Sequence, residues 1–130
     1  MVDYKKQGKR NRAMGADFER RTRADLESKG WIVSKFMNNI DLEQDKCIPS
    51  KPSRFQLHGT GFPDFICYKI ETITGPKYKI IFVECKVNGQ LSKIEKEKSQ
   101  WYLKNNYCSK FLIAYKTKEK NKVKVNYKEM

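Results

Sequence analysis

The stretch Tyr78–Lys86 constrains the fold more than any other part of the chain. Ile80, Ile81, Phe82 and Val83 are consecutive apolar residues, and Glu84, Cys85 and Lys86 follow them directly. Side chains alternate between faces along a strand. As a strand, this run is apolar on both faces and belongs in the middle of a covered sheet. One face carries Ile80 and Phe82, then Glu84 and Lys86; the other carries Ile81, Val83 and Cys85. Core gives way to charge at the end of a central strand, which is where α/β sheets place their sites.

The remaining elements can be set around that strand. Met14, Phe18, Thr22 or Ala24, and Leu26 recur at helical spacing and predict a first helix from about Met14 to Lys29, stopped by Gly30. Trp31–Phe36 is rich in β-formers and predicts a strand. Residues 37–62, with Pro49, Pro52, Gly59 and Gly61, predict a long loop, with a short helical turn over Asp41–Lys46. Asp64–Lys69 is a second strand, and Thr74–Lys77 a turn before the central one. After the loop Val87–Gln90, Ser92-Lys93-Ile94-Glu95 has the pattern of a capping box, opening a second helix that ends near Asn105 or Asn106. Phe111–Tyr115 and the alternating Val123–Tyr127 complete the list of strands, the last at an edge. The helix between the central strand and Phe111–Tyr115 implies a right-handed crossover between parallel strands. The expected fold is α/β, a mixed central sheet flanked by helices.

With 130 residues there is room for one domain, here 13–130, preceded by a basic arm over residues 1–12. That arm holds Lys5, Lys6, Lys9, Arg10 and Arg12 and almost nothing apolar. It is expected to be flexible, either a solvated tail or a phosphate-contacting segment. Lys and Arg number 28 against 15 Asp and Glu, a net charge of +13 that favours a polyanionic partner, nucleic acid first. No apolar run approaches membrane-spanning length and the N-terminus has no signal-peptide core, so no membrane partner and an intracellular, cytoplasmic setting are expected. Cys47, Cys67, Cys85 and Cys108 form no CxxC pair and His58 is the only histidine. That spacing does not suit structural zinc, and free thiols are expected.

If the second strand and the central strand form an antiparallel hairpin, the start of one lies beside the end of the other. Asp64 then neighbours Glu84. Two adjacent carboxylates repel, and a hard divalent cation relieves the repulsion. Magnesium suits the task because it keeps waters, binds phosphate oxygens and lowers the pKa of a bound water. Lys86, on the same face as Glu84, is positioned to orient an attacking water or balance phosphate charge.

Pro63-Asp64, then 19 residues, then Glu84-Cys85-Lys86 resembles the signature of PD-(D/E)XK nucleases. The helix-strand-strand-strand-helix-strand order is similar to that superfamily's restriction-endonuclease-like core. Gly15-Ala16-Asp17-Phe18-Glu19-Arg20, with Gly30-Trp31-Ile32-Val33 after it, resembles the opening of archaeal-type Holliday junction resolvases. Phe62–Ile66, Val83–Lys86, Gly89-Gln90-Leu91-Ser92 and Gln100-Trp101 resemble the VRR-NUC branch, although Gln100 falls about one helical turn later than that branch's glutamine. The resemblance spans roughly residues 13–116, with 37–58 unaligned.

The resemblance implies metal-assisted phosphodiester hydrolysis. Asp64 and Glu84 would bind Mg2+, with Mn2+ able to substitute, and the Cys85 carbonyl and Glu19 would complete the shell. Lys86 would position or activate the water, and Gln100 would face the site. Lys9, Arg10, Arg12, Arg20 and Lys35 would hold DNA. The implied substrate is branched DNA such as a Holliday junction, cut by a homodimer. Two alternatives stand beside it: a VRR-NUC-like endonuclease on flap, fork or phage DNA, and a DNA-binding module without catalysis. A DNA substrate also admits a nucleoid-associated location, or the host cytoplasm for a viral protein. His58 as a general base, Ser53 or Thr60 as a loop hydroxyl, and Trp101 or Tyr102 as base-stacking rings are weaker candidates. The lysines from Lys116 to Lys124 form a basic edge with non-specific phosphate affinity.

Overall fold

The computed structural model describes residues 4–50, 61–72 and 75–130. The chain runs α1 (Tyr4–Ser28), β1 (Ile32–Lys35), β2 (Asn38–Asp41), β3 (Lys46–Pro49), β4 (Phe65–Thr72), β5 (Pro76–Cys85), α2 (Lys93–Lys104), β6 (Lys110–Glu119) and β7 (Lys122–Glu129). Five strands form one mixed sheet in the order β1-β4-β5-β6-β7. β4 and β5 are antiparallel, β5 and β6 parallel, and β6 and β7 antiparallel. The α/β class, the hairpin, the parallel crossover and the edge strand all agree with the expectation from sequence.

The alternation along β5 divides the core in two. Ile81 and Val83 pack with Phe18 and Leu26 of α1, and with Val33, Phe65, Cys67 and Ala114. Phe82 packs on the other side with Tyr102 of α2, and with Ile40, Phe62, Phe111 and Ile113. Burial of these large side chains supplies the main driving force, about 25 cal/mol for each Å² of apolar surface removed from water. α1 ends where Gly30, at φ 90°, allows a left-handed turn. There Trp31 N–H donates to Leu26 C=O at 3.1 Å and Gly30 N–H to Glu27 C=O at 3.0 Å, a Schellman pair.

Two expectations are corrected. The segment expected as a basic arm is helical from Tyr4 onward: residues 4–12 are the first turns of α1. Their Lys, Arg and Gln residues have high helix propensity, but they are exposed, so no apolar periodicity marks them. The 37–62 stretch is not all loop: β2 and β3 form a separate antiparallel hairpin, with Asn38 opposite Pro49 and Asp41 opposite Lys46. The expected helical turn over Asp41–Lys46 is the hairpin turn, with Asp45 at φ 54°. Ser53, His58 and Thr60 lie outside the described residues. No helix among the described residues is long and apolar enough to cross a membrane.

Candidate active site

Asp64 sits one residue before β4 and Glu84 one residue before the end of β5, so antiparallel pairing brings them together. Each carboxylate is held by the other residue's neighbourhood. Cys85 N–H donates to Asp64 Oδ2 at 2.8 Å, and Asp64 N–H donates to Glu84 Oε1 at 3.0 Å. Glu84 is only 5% exposed. Burial, followed by the charge and hydrogen bonding of Asp64, holds its carboxyl well above the usual range.

The approach to Asp64 is fixed by backbone. Phe62 N–H donates to Asn38 C=O at 2.9 Å, and Phe36 N–H to Asp64 C=O at 3.1 Å. Gly61 passes so close to the chain between β1 and β2 that a Cβ there would collide with the Phe36 carbonyl and fall 2.7 Å from Asn38 O. The Phe62–Pro63 peptide is cis. Tyr102 of α2 reaches under this segment, its hydroxyl donating to Phe62 C=O at 2.5 Å. The residues leading into Asp64 are thus tied to both β2 and α2.

Lys86 Nζ lies 3.5 Å from Glu84 Oε2 and 2.8 Å from Glu95 Oε2. Burial works against the ammonium, but Glu95 and Glu84 outweigh it and the Lys86 pKa is raised. Glu95 is opposite in sign: burial raises its carboxyl, but Lys86 and the Ser92 N–H prevail and hold it low. Its Oε1 accepts from Ser92 N–H at 2.9 Å while the Ser92 hydroxyl accepts from Glu95 N–H at 3.2 Å, closing the capping box. Glu95 was legible in the sequence only as that cap; its contact with Lys86 depends on where α2 docks.

Glu19 approaches from α1. Burial and then the charge of Asp64 raise its pKa, and Lys35 opposes them. Glu19, Arg20, Arg23 and Lys35 line a shallow cleft of about 270 Å³ with Ala16 and Phe65. Arg20 is ion-paired with Asp17 at 3.2 Å. Arg23, which sequence reasoning passed over, donates to Val33 C=O at 2.9 Å and lies 3.0 Å from Glu27. Lys9, Arg10 and Arg12 are exposed along the first turns of α1.

Gln100 departs from expectation. It is exposed, and five residues beyond Glu95 it stands about 140° around the helix from the residue that meets Lys86. Cys85 contributes through its main chain: its thiol lies on the α1 side of the sheet, where burial keeps it protonated. All four cysteines are free.

Asp64, Glu84 and Glu19 are oxygen donors and their mutual repulsion suits a hard cation, so the residues present fit magnesium better than zinc. Among the described residues, no three Asp, Glu, His or Cys side chains already stand close enough to enclose one ion. The chain matches no family model, no curated protein and no solved structure.

Proposed function

We propose that the chain is a metal-dependent DNA endonuclease with a PD-(D/E)XK, restriction-endonuclease-like core. The observation that carries this reading is the Asp64–Glu84 pair, with Glu84 buried, Asp64 half-buried and the Lys86 ammonium 3.5 Å from Glu84. Asp64 and Glu84 would hold Mg2+ or Mn2+, with Glu19 and the Cys85 carbonyl completing its surroundings. Such an ion supplies a water of lowered pKa and stabilises charge on the scissile phosphate. Lys86 holds a proton at Nζ and orients the attacking water or a phosphate oxygen. Arg20 and Lys35, beside Glu19, and Lys9, Arg10 and Arg12, along α1, hold the DNA backbone. Gln100 is left out of this mechanism.

A branched DNA substrate, a Holliday junction first, and a homodimeric enzyme follow from the resemblance of the first helix and the Pro-Asp and Glu-x-Lys motifs to junction resolvases. A DNA substrate would set the compartment as cytoplasm or nucleoid, or host cytoplasm for a viral protein. The test is cleavage of a labelled four-way junction, a flap and a plain duplex by wild type and Glu84→Gln, in magnesium and in EDTA. Junction cutting that needs both magnesium and Glu84 supports the full reading. Cutting of flap or linear DNA alone retains the nuclease and moves it to the VRR-NUC-like alternative. A DNA shift with no cleavage in magnesium or manganese leaves a binding module.

A further inference from the structure

β5 and β6 are parallel, but they stop at different heights. β5 ends at Cys85, opposite Ala114, whereas β6 continues from Tyr115 to Glu119. β7 accompanies it, with rungs from Tyr115↔Asn126 to Glu119↔Lys122. This part is a two-stranded ribbon that passes the end of the sheet where Asp64 and Glu84 lie. At about 3.4 Å per residue, its five rungs project roughly 17 Å.

The ribbon is well defined at both ends. At its root, Lys116 N–H donates to Val87 C=O at 3.1 Å. At its tip, Lys120 and Asn121 form a two-residue loop with φ of 49° and 65°. Two positive φ values in such a loop match the twist of the strands and give a tight hairpin. Asn126 Nδ2 donates across the ribbon to Thr117 Oγ1 at 2.6 Å.

Its charge is one-sided. Lys116, Lys118, Lys120, Lys122 and Lys124 stand against Glu119 alone. Among the described residues none of these five lysines is in an ion pair, whereas Lys29, Lys86 and Lys110 are. One or two charges are enough to keep an exposed edge from pairing with another strand; five exceed that need.

We propose that this ribbon is a phosphate-binding arm for duplex DNA, lying along the double helix to one side of the scissile phosphate. A two-stranded ribbon fits the major groove of B-DNA. Lys116 and Lys118 share the face of Val125 and Val123, which is turned to Arg21 and Ala24 of α1 across a cleft, so Lys122 and Lys124 on the opposite face make the main phosphate contacts, with Lys118 and Lys120 adding to them near the tip. Roughly 17 Å corresponds to about five base pairs, so the arm requires double-stranded DNA over that distance from the cut. The choice of DNA as partner rests on the nuclease reading; the location of the arm on the duplex rests on the sheet geometry and the charge.

The test is direct binding, without catalysis. A fluorescent 30-base-pair duplex is titrated by anisotropy in EDTA across a salt series. It is titrated with wild type, with Lys116, Lys118, Lys122 and Lys124 all changed to Gln, and with Lys77, Lys79, Lys104 and Lys110 all changed to Gln. The second set removes the same charge from the opposite end of the sheet. Circular dichroism confirms that each variant folds. The ribbon variant is expected to lose about tenfold or more in affinity and to flatten the log-log salt slope by about 0.9 for each phosphate it no longer neutralises. The control set is expected to change both far less. Equal losses in the two variants, or a ribbon variant that binds as wild type does, overturn the arm. Cleavage is not read in this experiment, so failure of the nuclease reading leaves its result intact.

Discussion

Glu95 Oε2 lies nearer the Lys86 ammonium, at 2.8 Å, than Glu84 Oε2 does, at 3.5 Å. The same Glu95 carboxylate caps the N-terminus of α2 through Ser92 N–H. One side chain therefore fixes the helix start and the orientation of the candidate catalytic lysine.

Changing Glu95 to Gln separates these roles. Glutamine serves at the third position of a capping box, so the stability loss should stay within about 1 kcal/mol. Lys86 loses its closest carboxylate, and its raised pKa should fall. Following the Lys86 13Cε resonance through an alkaline titration reads this directly, with the variant titrating at lower pH than wild type. An unchanged titration would show that Glu95 does not hold the ammonium.

Glu84 makes stability depend on pH in an uncommon direction for a carboxylate. Its folded pKa is raised above the ordinary 4.5 by burial and by Asp64. Above 4.5 the folded protein then binds more protons than the unfolded chain, so metal-free stability declines as pH rises. Glu84→Gln should raise the metal-free Tm at pH 7.5, by roughly 2–8 °C for each kcal/mol relieved. The gain should vanish below pH 4, where the wild-type carboxyl is protonated in both states. Differential scanning calorimetry in EDTA at the two pH values checks both halves.

Magnesium should reverse that penalty. A ligand that binds only the folded state stabilises by about 2.7 kcal/mol at 100 times its Kd. Millimolar magnesium should therefore raise the wild-type Tm at pH 7.5. Asp64→Asn and Glu84→Gln should each abolish the rise. A rise that survives both substitutions would place the ion elsewhere.

Gly61→Ala should be among the most damaging single changes, because its methyl group would collide with the Phe36 carbonyl oxygen, fixed backbone rather than a movable side chain. The cost should reach the upper part of the overpacking range, about 3 kcal/mol, measured by urea denaturation. Tyr102→Phe keeps the ring but strands the Phe62 carbonyl that its hydroxyl serves. It should cost about 1–3 kcal/mol, seen as a lower urea midpoint.

The parts of this fold visible in the sequence are those written in apolar periodicity. β5 declares itself through Ile80–Val83, and the face alternation that follows puts Glu84 and Cys85 on opposite sides of the sheet, as the structure has them. The Asp64–Glu84 pairing needed only one assumption, an antiparallel hairpin. The first turns of α1 were hidden because the lysines, arginines and glutamine of residues 5–12 are exposed and carry no apolar repeat. The β2–β3 hairpin was hidden because its strands are only four residues long, β2 is mostly polar and β3 ends in Pro49. Gln100 and Glu95 show the limit most clearly: both lie on α2, and only the rotation at which the helix docks decides which of them meets Lys86.

The open end and the closed end of the β4–β5 hairpin carry unequal constraints. At the open end, Phe65 must face Val83 for Asp64 to meet Glu84. At the closed end, rungs could be added or removed in matched pairs, one residue on each strand, without moving either carboxylate. Evolution can therefore lengthen or shorten the interval between the two acids freely, so long as both strands change together. Distant kin of this chain would be recognised by the two motifs and the strands between them, with the intervening distance left unspecified.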